Sequence, residues 1–465
     1  MSDVLADRYA SKEMREFWSR EFKIKAERKL WITVLETQSS LGLAVLPSVI
    51  EDYKEKCDSI NLASIDAREL ITKHDVKARI DEFNELSGHQ KIHIGMTSRD
   101  LTENIELFQL RSSLKLVKFK AAALLKHLVE LANANIEVPM VARTHNMPAQ
   151  LTTFGRRAAT WIEELLFSFD NLENLCDRLP IKGIKGPVGT AQDLMDLFGN
   201  SSYEIEEAIS KELDFTRVLT APSQIYPRSI DYEIVTALVQ LAGSPSNIAT
   251  NVRIMSGFGL VSEGFGKDQV GSSAMPHKIN PHLSERVNSL TAVLKGNVVM
   301  VQELVGNQWN EGDVSCSVIR RVALANSFYA IDAILDTTIR IIRDIVIYYE
   351  KIESEVSQNL PFLATTRLLS NLVENGKGRE DAYAAIKKHV AASREHLRKS
   401  GKNNLFNLIQ SDSSLKIGAE FLNALQDPKN LIGYAKGQTE AVVAKAMGVI
   451  KLYSESLTYS PSNSI

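Results

Sequence analysis

Two long stretches of this 465-residue chain contain neither glycine nor proline, Met96 to Val138 and Asp313 to Leu360. These two residues are the strongest local breakers of regular structure, so runs of this length without them point to long helices. The apolar spacing agrees. Leu107, Leu110, Leu114, Val117, Ala121, Leu124, Leu128 and Leu131 alternate steps of three and four. In the second stretch Leu324, Phe328, Ile331, Leu335, Thr338, Ile342, Ile345 and Tyr349 do the same, with Thr338 the polar member. Such a stripe is the seam of a helix packed lengthwise on others. Helices this long belong to coiled coils, membrane spans or bundles. No uninterrupted apolar run reaches the roughly 20 residues that a bilayer requires. The expected fold is therefore all-α, built on a long-helix bundle. Seams this extended also exceed what one chain easily covers, so assembly of several copies is expected.

A third helical run spans Arg156 to Leu179 and ends at Pro180. Three regions follow: a helical domain over 1–96 with loops around Pro47 and Gly88, the bundle over 97–360, and shorter helices over 361–465. Turns in the last region fall at Gly376, Gly378, Gly401 and Gly433. Strands are expected only as short candidates between Pro180 and Val188.

The 54 basic and 57 acidic residues leave a net charge of −3, which argues against nucleic acid or an anionic membrane as partner. It leaves room for a local cationic pocket. Cys57, Cys176 and Cys316 are far apart and odd in number, which suits a reduced, cytoplasmic setting. Met1 to Tyr9 carries acidic residues and lacks the apolar core of a secretory signal. No metal and no cofactor are expected.

Three segments carry the chemistry. The first is Gly271-Ser272-Ser273-Ala274-Met275-Pro276-His277-Lys278-Ile279-Asn280-Pro281, preceded by Gly264 and Gly266. Small residues let a backbone approach a ligand closely and let a loop close over it. Serine, lysine and asparagine add a base, a cation and an amide within nine residues. The second is Arg143-Thr144-His145-Asn146-Met147-Pro148-Ala149-Gln150, where Pro148 suits a helix start and leaves His145 in the loop before it. The third, Gly95 to Asn104, offers Thr97 and Ser98 as caps of the long helix, with Asp100 and Glu103 in its first turns. Backbone donors at a helix start also suit a substrate carboxylate.

The first string resembles the signature of the aspartase/fumarase superfamily. Thr-His-x-x-Pro-Ala-Gln resembles the general-acid segment of adenylosuccinate lyases. Asp7 to Ser11, Lys73-His74-Asp75-Val76, Lys182 to Thr190, Gln224 to Arg228 and Gln308 to Glu311 resemble that family as well. The resemblance implies a three-domain fold whose central helices assemble into a homotetramer, with active sites shared between subunits. It implies β-elimination of fumarate from succinylated purine-pathway nucleotides, with no cofactor. It assigns Ser272 as base and His145 as acid. Lys278 would support the alkoxide and the developing dianion, and His74 would orient the substrate or support His145. Asn280 would join Lys278 at the dianion, Thr97, Ser98 and Gln224 would hold the succinyl part, and Lys73 and Asp75 would also bind substrate. Arg8, Tyr9, Arg286, Ser317 and Arg321 would serve the phosphate and ribose.

One position departs from the family pattern. Gly312 stands where an arginine associated with nucleotide binding is often found. The alternatives are another fumarate-releasing lyase or cycloisomerase of the superfamily, or a non-catalytic scaffold. A scaffold would not need Ser272, Lys278, Asn280 and His145 together.

Overall fold

The structure is a computed structural model that describes residues 3–264, 272 and 274–461. Its principal elements are α1 (Arg20–Ser40), α2 (Asp75–Ser87), α3 (Ser98–Ala134), strands β1 (Pro139–Thr144) and β2 (Met147–Thr153), and α4 (Phe154–Arg178). There follow α5 (Ser229–Leu241), α6 (Gly243–Gly257), β3 (Val261–Ser262), α7 (His282–Gln302), α8 (Cys316–Asp344), β4 (Val346–Ile347), α9 (Tyr349–Leu363) and α10 (Ala435–Leu452). Shorter helices fill the remainder.

The bundle forms where the seams lie. The apolar stripe of α3 from Leu107 to Leu131 is buried along its length, against α4, α8 and α10. Helix α8 packs on α3 and α7, and its Leu324, Phe328, Ile331, Leu335 and Ile342 are buried. Helix α10, near the chain's end, returns to lie on α3 and α4. A separate small core gathers Leu368, Leu372, Ile386, Leu405, Ile409 and Leu422.

The second Gly/Pro-free stretch is not one continuous helix. It breaks at Ile345, whose backbone turns extended, and resumes as α9. The break falls in the β-branched run Ile345-Val346-Ile347, which favours extended backbone. Val346 and Ile347 pair antiparallel with Ser262 and Val261. This short pairing anchors one end of the connection that carries Ser272.

Strands also appear where a helix start was expected. β1 and β2 form an antiparallel hairpin around His145 and Asn146, which have φ of +51° and +59°. Positive φ at both central residues is the type I′ geometry that matches strand twist. Pro148 therefore lies in β2, beside a register shift between Ala142 and Arg143, where a missing N–H is tolerated. The helix begins only at Phe154, capped by Thr153, whose hydroxyl accepts from the Arg156 N–H at 3.0 Å. Between Pro180 and Val188, regular pairing is confined to a single parallel bridge of Ile181 with Val218.

A charged knot lies inside this apolar packing. The Lys120 ammonium on α3 donates to Asp332 and, at 2.8 Å, to Asp336, both on α8. Asp332 also accepts from the Ser11 N–H at 2.7 Å, and Asp336 from the Tyr459 hydroxyl at 2.7 Å. Burial pushes the Asp336 carboxyl up to about 6, although Lys120 opposes the shift. The folded state therefore binds Asp336's proton more tightly than the unfolded chain does. This group's stabilisation is complete below the ordinary carboxylate range and is lost as pH rises toward about 6. Replacing Lys120 strands two buried carboxylates, so Lys120→Met should cost about 3–5 kcal/mol near neutral pH. The cost should shrink at pH 5, where Asp336 takes its proton. Calorimetric unfolding of both proteins at pH 5 and pH 8 checks this, and equal losses at the two values would refute it.

Candidate active site

The first turns of α3 carry a row of buried polar groups that hold distant loops in place. The Asp100 carboxylate is fully buried and accepts from the N–H groups of Thr97, Lys185 and Gly186 at 2.9, 2.9 and 3.0 Å, and from the Lys182 ammonium at 2.6 Å. It thus completes a capping box with Thr97 and ties the helix start to the Lys182–Thr190 segment. One turn on, Asn104 exchanges hydrogen bonds with both the carbonyl and the N–H of Gly183. Glu103 accepts from the Tyr226 N–H at 3.2 Å, the Arg228 guanidinium at 2.9 Å and Arg99 at 3.2 Å. Glu106 pairs with Lys23 and Arg320, which hold its carboxyl well below the usual carboxylate range against the opposing effect of burial.

Above this row opens a cavity of about 330 Å³ between the starts of α2, α3 and α8. Of the expected site residues, His74, Asp75, Ser98, Ser317 and Arg321 line it. His74 is the N-cap of α2, its Nδ1 accepting from the Lys77 N–H at 3.3 Å. Burial works against the charge on Asp75, yet Arg79 and the Val76 N–H hold its carboxyl below its ordinary range. Arg321 approaches Asp75 at 3.9 Å from α8. Thr97 sits beside the cavity as the N-cap of α3, and Lys73, with φ of +55°, stands on the adjoining surface with Arg321. Gln224 is not among the lining residues; its N–H donates to the Glu311 carbonyl at 2.9 Å.

The other expected residues lie on different elements. His145 stands exposed at the β1–β2 tip. Arg8, Tyr9 and Arg286 form a second cationic group, with the Arg286 guanidinium 5.6 Å from the Tyr9 ring centre. Burial lowers the pKa of Arg286. Ser272 lies on the connection between α6 and α7, and its Oγ accepts from the Ala274 and Met275 N–H groups at 3.4 and 3.2 Å. Lys278 is exposed, and Asn280 lines a recess with Glu263 and Gly264. Gly266, Gly271 and Ser273 lie outside the described residues.

The base of this connection is pinned at both ends. Glu263 accepts from the Leu283 and Ser284 N–H groups at 3.0 and 2.5 Å, capping α7 from across the connection. Gly264 has φ of +79°, and a Cβ there would stand 2.4 Å from the Asp344 carbonyl. Only glycine fits.

Sequence reasoning passed over Arg99, Lys23, Thr102 and Trp18, which also line the cavity. Arg99 lay within a segment already singled out; Lys23 and Trp18 carried no motif. It passed over His93 as well. The Trp31 indole donates to His93 Nδ1 at 3.0 Å, and an indole N–H can only donate, so the neutral imidazole carries its proton on Nε2. Burial pulls the His93 pKa down to about 4. His89, four residues earlier, is engaged with Asp52 at 2.6 Å.

Comparison with known proteins adds an independent line. Residues 15–296 match the family model described as lyase, and residues 361–442 the one described as adenylosuccinate lyase C-terminus. An adenylosuccinate lyase of Schistosoma mansoni is 34% identical over 94% of this chain and 92% of its own length. That of Saccharomyces cerevisiae is 32% identical over 95% and 93%. Among solved structures, a fumarate lyase from a Mesorhizobium species superposes with a TM-score of 0.80 at 18% identity, covering 94% of this chain and 98% of that one. A 3-carboxy-cis,cis-muconate lactonizing enzyme from Pseudomonas putida gives 0.81 at 18%, covering 97% and 100%. The two structures share the fold.

The state of His93 has a measurable consequence. Unfolded histidine titrates near pH 6.5, whereas folded His93 refuses a proton until about 4. Between these values the unfolded chain binds more protons, so stability should fall as pH drops through that window. His93→Gln should flatten the fall. Melting temperatures of both proteins from pH 4.5 to 7.5 check it, and parallel curves would mean that His93 protonates as freely folded as unfolded.

Proposed function

On the premise that this chain belongs to the adenylosuccinate lyase family, we propose that it eliminates fumarate from N6-(1,2-dicarboxyethyl)-AMP, giving AMP. The same chemistry on the succinylated aminoimidazole carboxamide ribotide gives the free carboxamide ribotide. The observation that carries the reading is the cavity at the start of α3, where His74, Ser98, Ser317 and Arg321 meet between cationic walls.

The reaction breaks a C–N bond β to a carboxylate. A base removes the Cβ proton, the carbanion delocalises into the adjacent carboxylate as a dianion, and the departing nitrogen takes a proton from an acid. In this reading Ser272 is the base. A serine needs its alkoxide stabilised, and the two backbone N–H groups already directed at its Oγ supply part of that, with Lys278 adding positive charge. Lys278 and Asn280 also face the developing dianion. His145 is the acid, and His74 orients the substrate. Thr97, Ser98 and Gln224 bind the succinyl part beside Lys73 and Asp75. Ser317, Arg321, Arg8, Tyr9 and Arg286 take the nucleotide.

These groups stand on separate elements of one chain, which supports a site completed by neighbouring chains. We read the enzyme as a homotetramer. Val293 and Val299 on α7 and Val318 and Val322 on α8 are exposed, an apolar surface along long helices that assembly would cover. The same reading sets it in the cytoplasm, consistent with three unpaired cysteines.

Purified protein should cleave both succinylated nucleotides, followed by loss of their absorbance and appearance of fumarate. Turnover of argininosuccinate or malate instead, with neither nucleotide accepted, would overturn the assignment. The shared site has its own test. Ser272→Ala and His145→Ala should each lose several orders of magnitude in kcat while still binding substrate. Mixed, gently dissociated and reassembled at equal ratio, they should regain native groups in about a quarter of sites, by counting over a closed symmetric assembly. No recovery from well-mixed oligomers would mean that one chain supplies both residues.

A further inference from the structure

Among the groups of the cavity at the start of α3 that the proposed chemistry does not use is the guanidinium of Arg99. Arg99 projects from the first turn of α3 with its side chain largely buried. Its Nη1 is held by Glu103 at 3.2 Å. Its Nη2 reaches across to α8, 3.2 Å from Ser317 Oγ and 3.5 Å from the Asp313 carbonyl. The guanidinium is therefore fixed at the junction of α3 and α8, on the cavity wall.

Position 312 places no side chain there. Gly312 has φ of +146°, and a Cβ would lie 3.3 Å from the Gln224 Cβ and 3.5 Å from Ile225. Any cation at this corner must come from elsewhere, and Arg99 provides it.

The surrounding groups favour a polyanion. Among the described residues Lys23, Arg99, Arg228 and Arg320 form ion pairs with three carboxylates, Glu103, Glu106 and Asp231, while the Asp313 carboxylate feels the charge of Arg99 from farther away. Asp75 is shared by Arg79 and Arg321 at the rim, and the half-buried Asp313 carboxylate accepts from the Ser315 N–H. Two further cavity-lining groups are left without a partner among the described residues, the Trp18 indole N–H and the hydroxyl of Thr102, which is only 8% exposed. An indole N–H only donates, so what it lacks is an acceptor. The first turn of α8 carries no acidic side chain, although the Ser317 N–H is taken by the Val314 carbonyl at 3.0 Å.

We propose that Arg99 is the guanidinium that binds the substrate's phosphate monoester in this chain, assisted by Ser317 and Arg321. The planar fork is already oriented by Glu103 on one nitrogen and by Ser317 and the Asp313 carbonyl on the other, so a phosphate would exchange the contacts at Nη2 for its own oxygens at little further entropic cost. The proposal rests on the nucleotide reading above but is tested separately from it.

The test compares AMP, adenosine and fumarate as ligands of the assembled protein by calorimetry, in wild type, Arg99→Gln and Arg99→Lys. Arg99→Gln should weaken AMP by roughly 30-fold or more, as for truncation of one partner of a buried charge pair. Adenosine and fumarate should bind as to wild type. With succinyl-AMP the loss should appear in KM far more than in kcat. Arg99→Lys keeps the charge without the fork and should fall between the two, which preserves the test if Arg99→Gln does not fold. Equal losses for AMP and adenosine, a loss confined to fumarate, or a wild type indifferent to the phosphate would each overturn the proposal. A wild type that turns over no succinyl-AMP, yet prefers AMP to adenosine only while Arg99 is present, would refute the function and keep this assignment.

Discussion

The row Asp100, Glu103, Asn104 and Glu106 is the constraint on which the rest of the site depends. A helix of 37 residues can be rigid along its length and still say nothing about the loops at its end. Here its first three turns bury two carboxylates and an amide and half-bury a third carboxylate, Glu106, and each must find partners because an unpaired buried charge costs several kcal/mol. The partners are backbone N–H groups and cations from the segments around 182–186 and 226–228, from α1 and from α8. The helix start thus organises four remote pieces of chain, and the cavity is the space left between them. Asp100 alone accepts four hydrogen bonds, so few alternative arrangements could satisfy it.

The same economy governs the connection carrying Ser272. Its described ends are tied by the β3–β4 pairing and by Glu263 capping α7 from across the gap. What is held is the base of the segment, while Ser272, among the described residues, accepts from N–H groups two and three residues on. Position is set by the scaffold and local geometry by the turn. The bundle sets the spacing between this segment, the hairpin tip and the cavity. Long helices make good spacers, since each residue adds about 1.5 Å and their packing faces leave little freedom to slide.

Much of the scaffold was legible in advance. The stripe from Leu107 to Leu131 is buried as its three-four spacing requires, and α4 runs within a residue or two of the expected limits. The second stretch misled at Ile345, because absence of glycine and proline is permissive for helix and does not compel it; a β-branched run with a partner strand prevailed. The hairpin around His145 was missed for a related reason. A proline that suits a helix start also suits a strand at a bulge, and the partner strand decides between them.

The amino-acid sequence by itself determined the long helices and their buried faces, because periodicity and capping act between residues close in the chain, and the segments bearing His74, His145 and Ser272 stood out through their resemblance to a known family. It could not say which charges meet. Arg99 reads locally as an ordinary polar residue in a helix's first turn, and the serine it touches lies 218 residues away. The same holds for Lys120 with its aspartates and for Gly312 against Gln224. Electrostatic and hydrogen-bonding energies depend on separation through space, and only the tertiary packing supplies that.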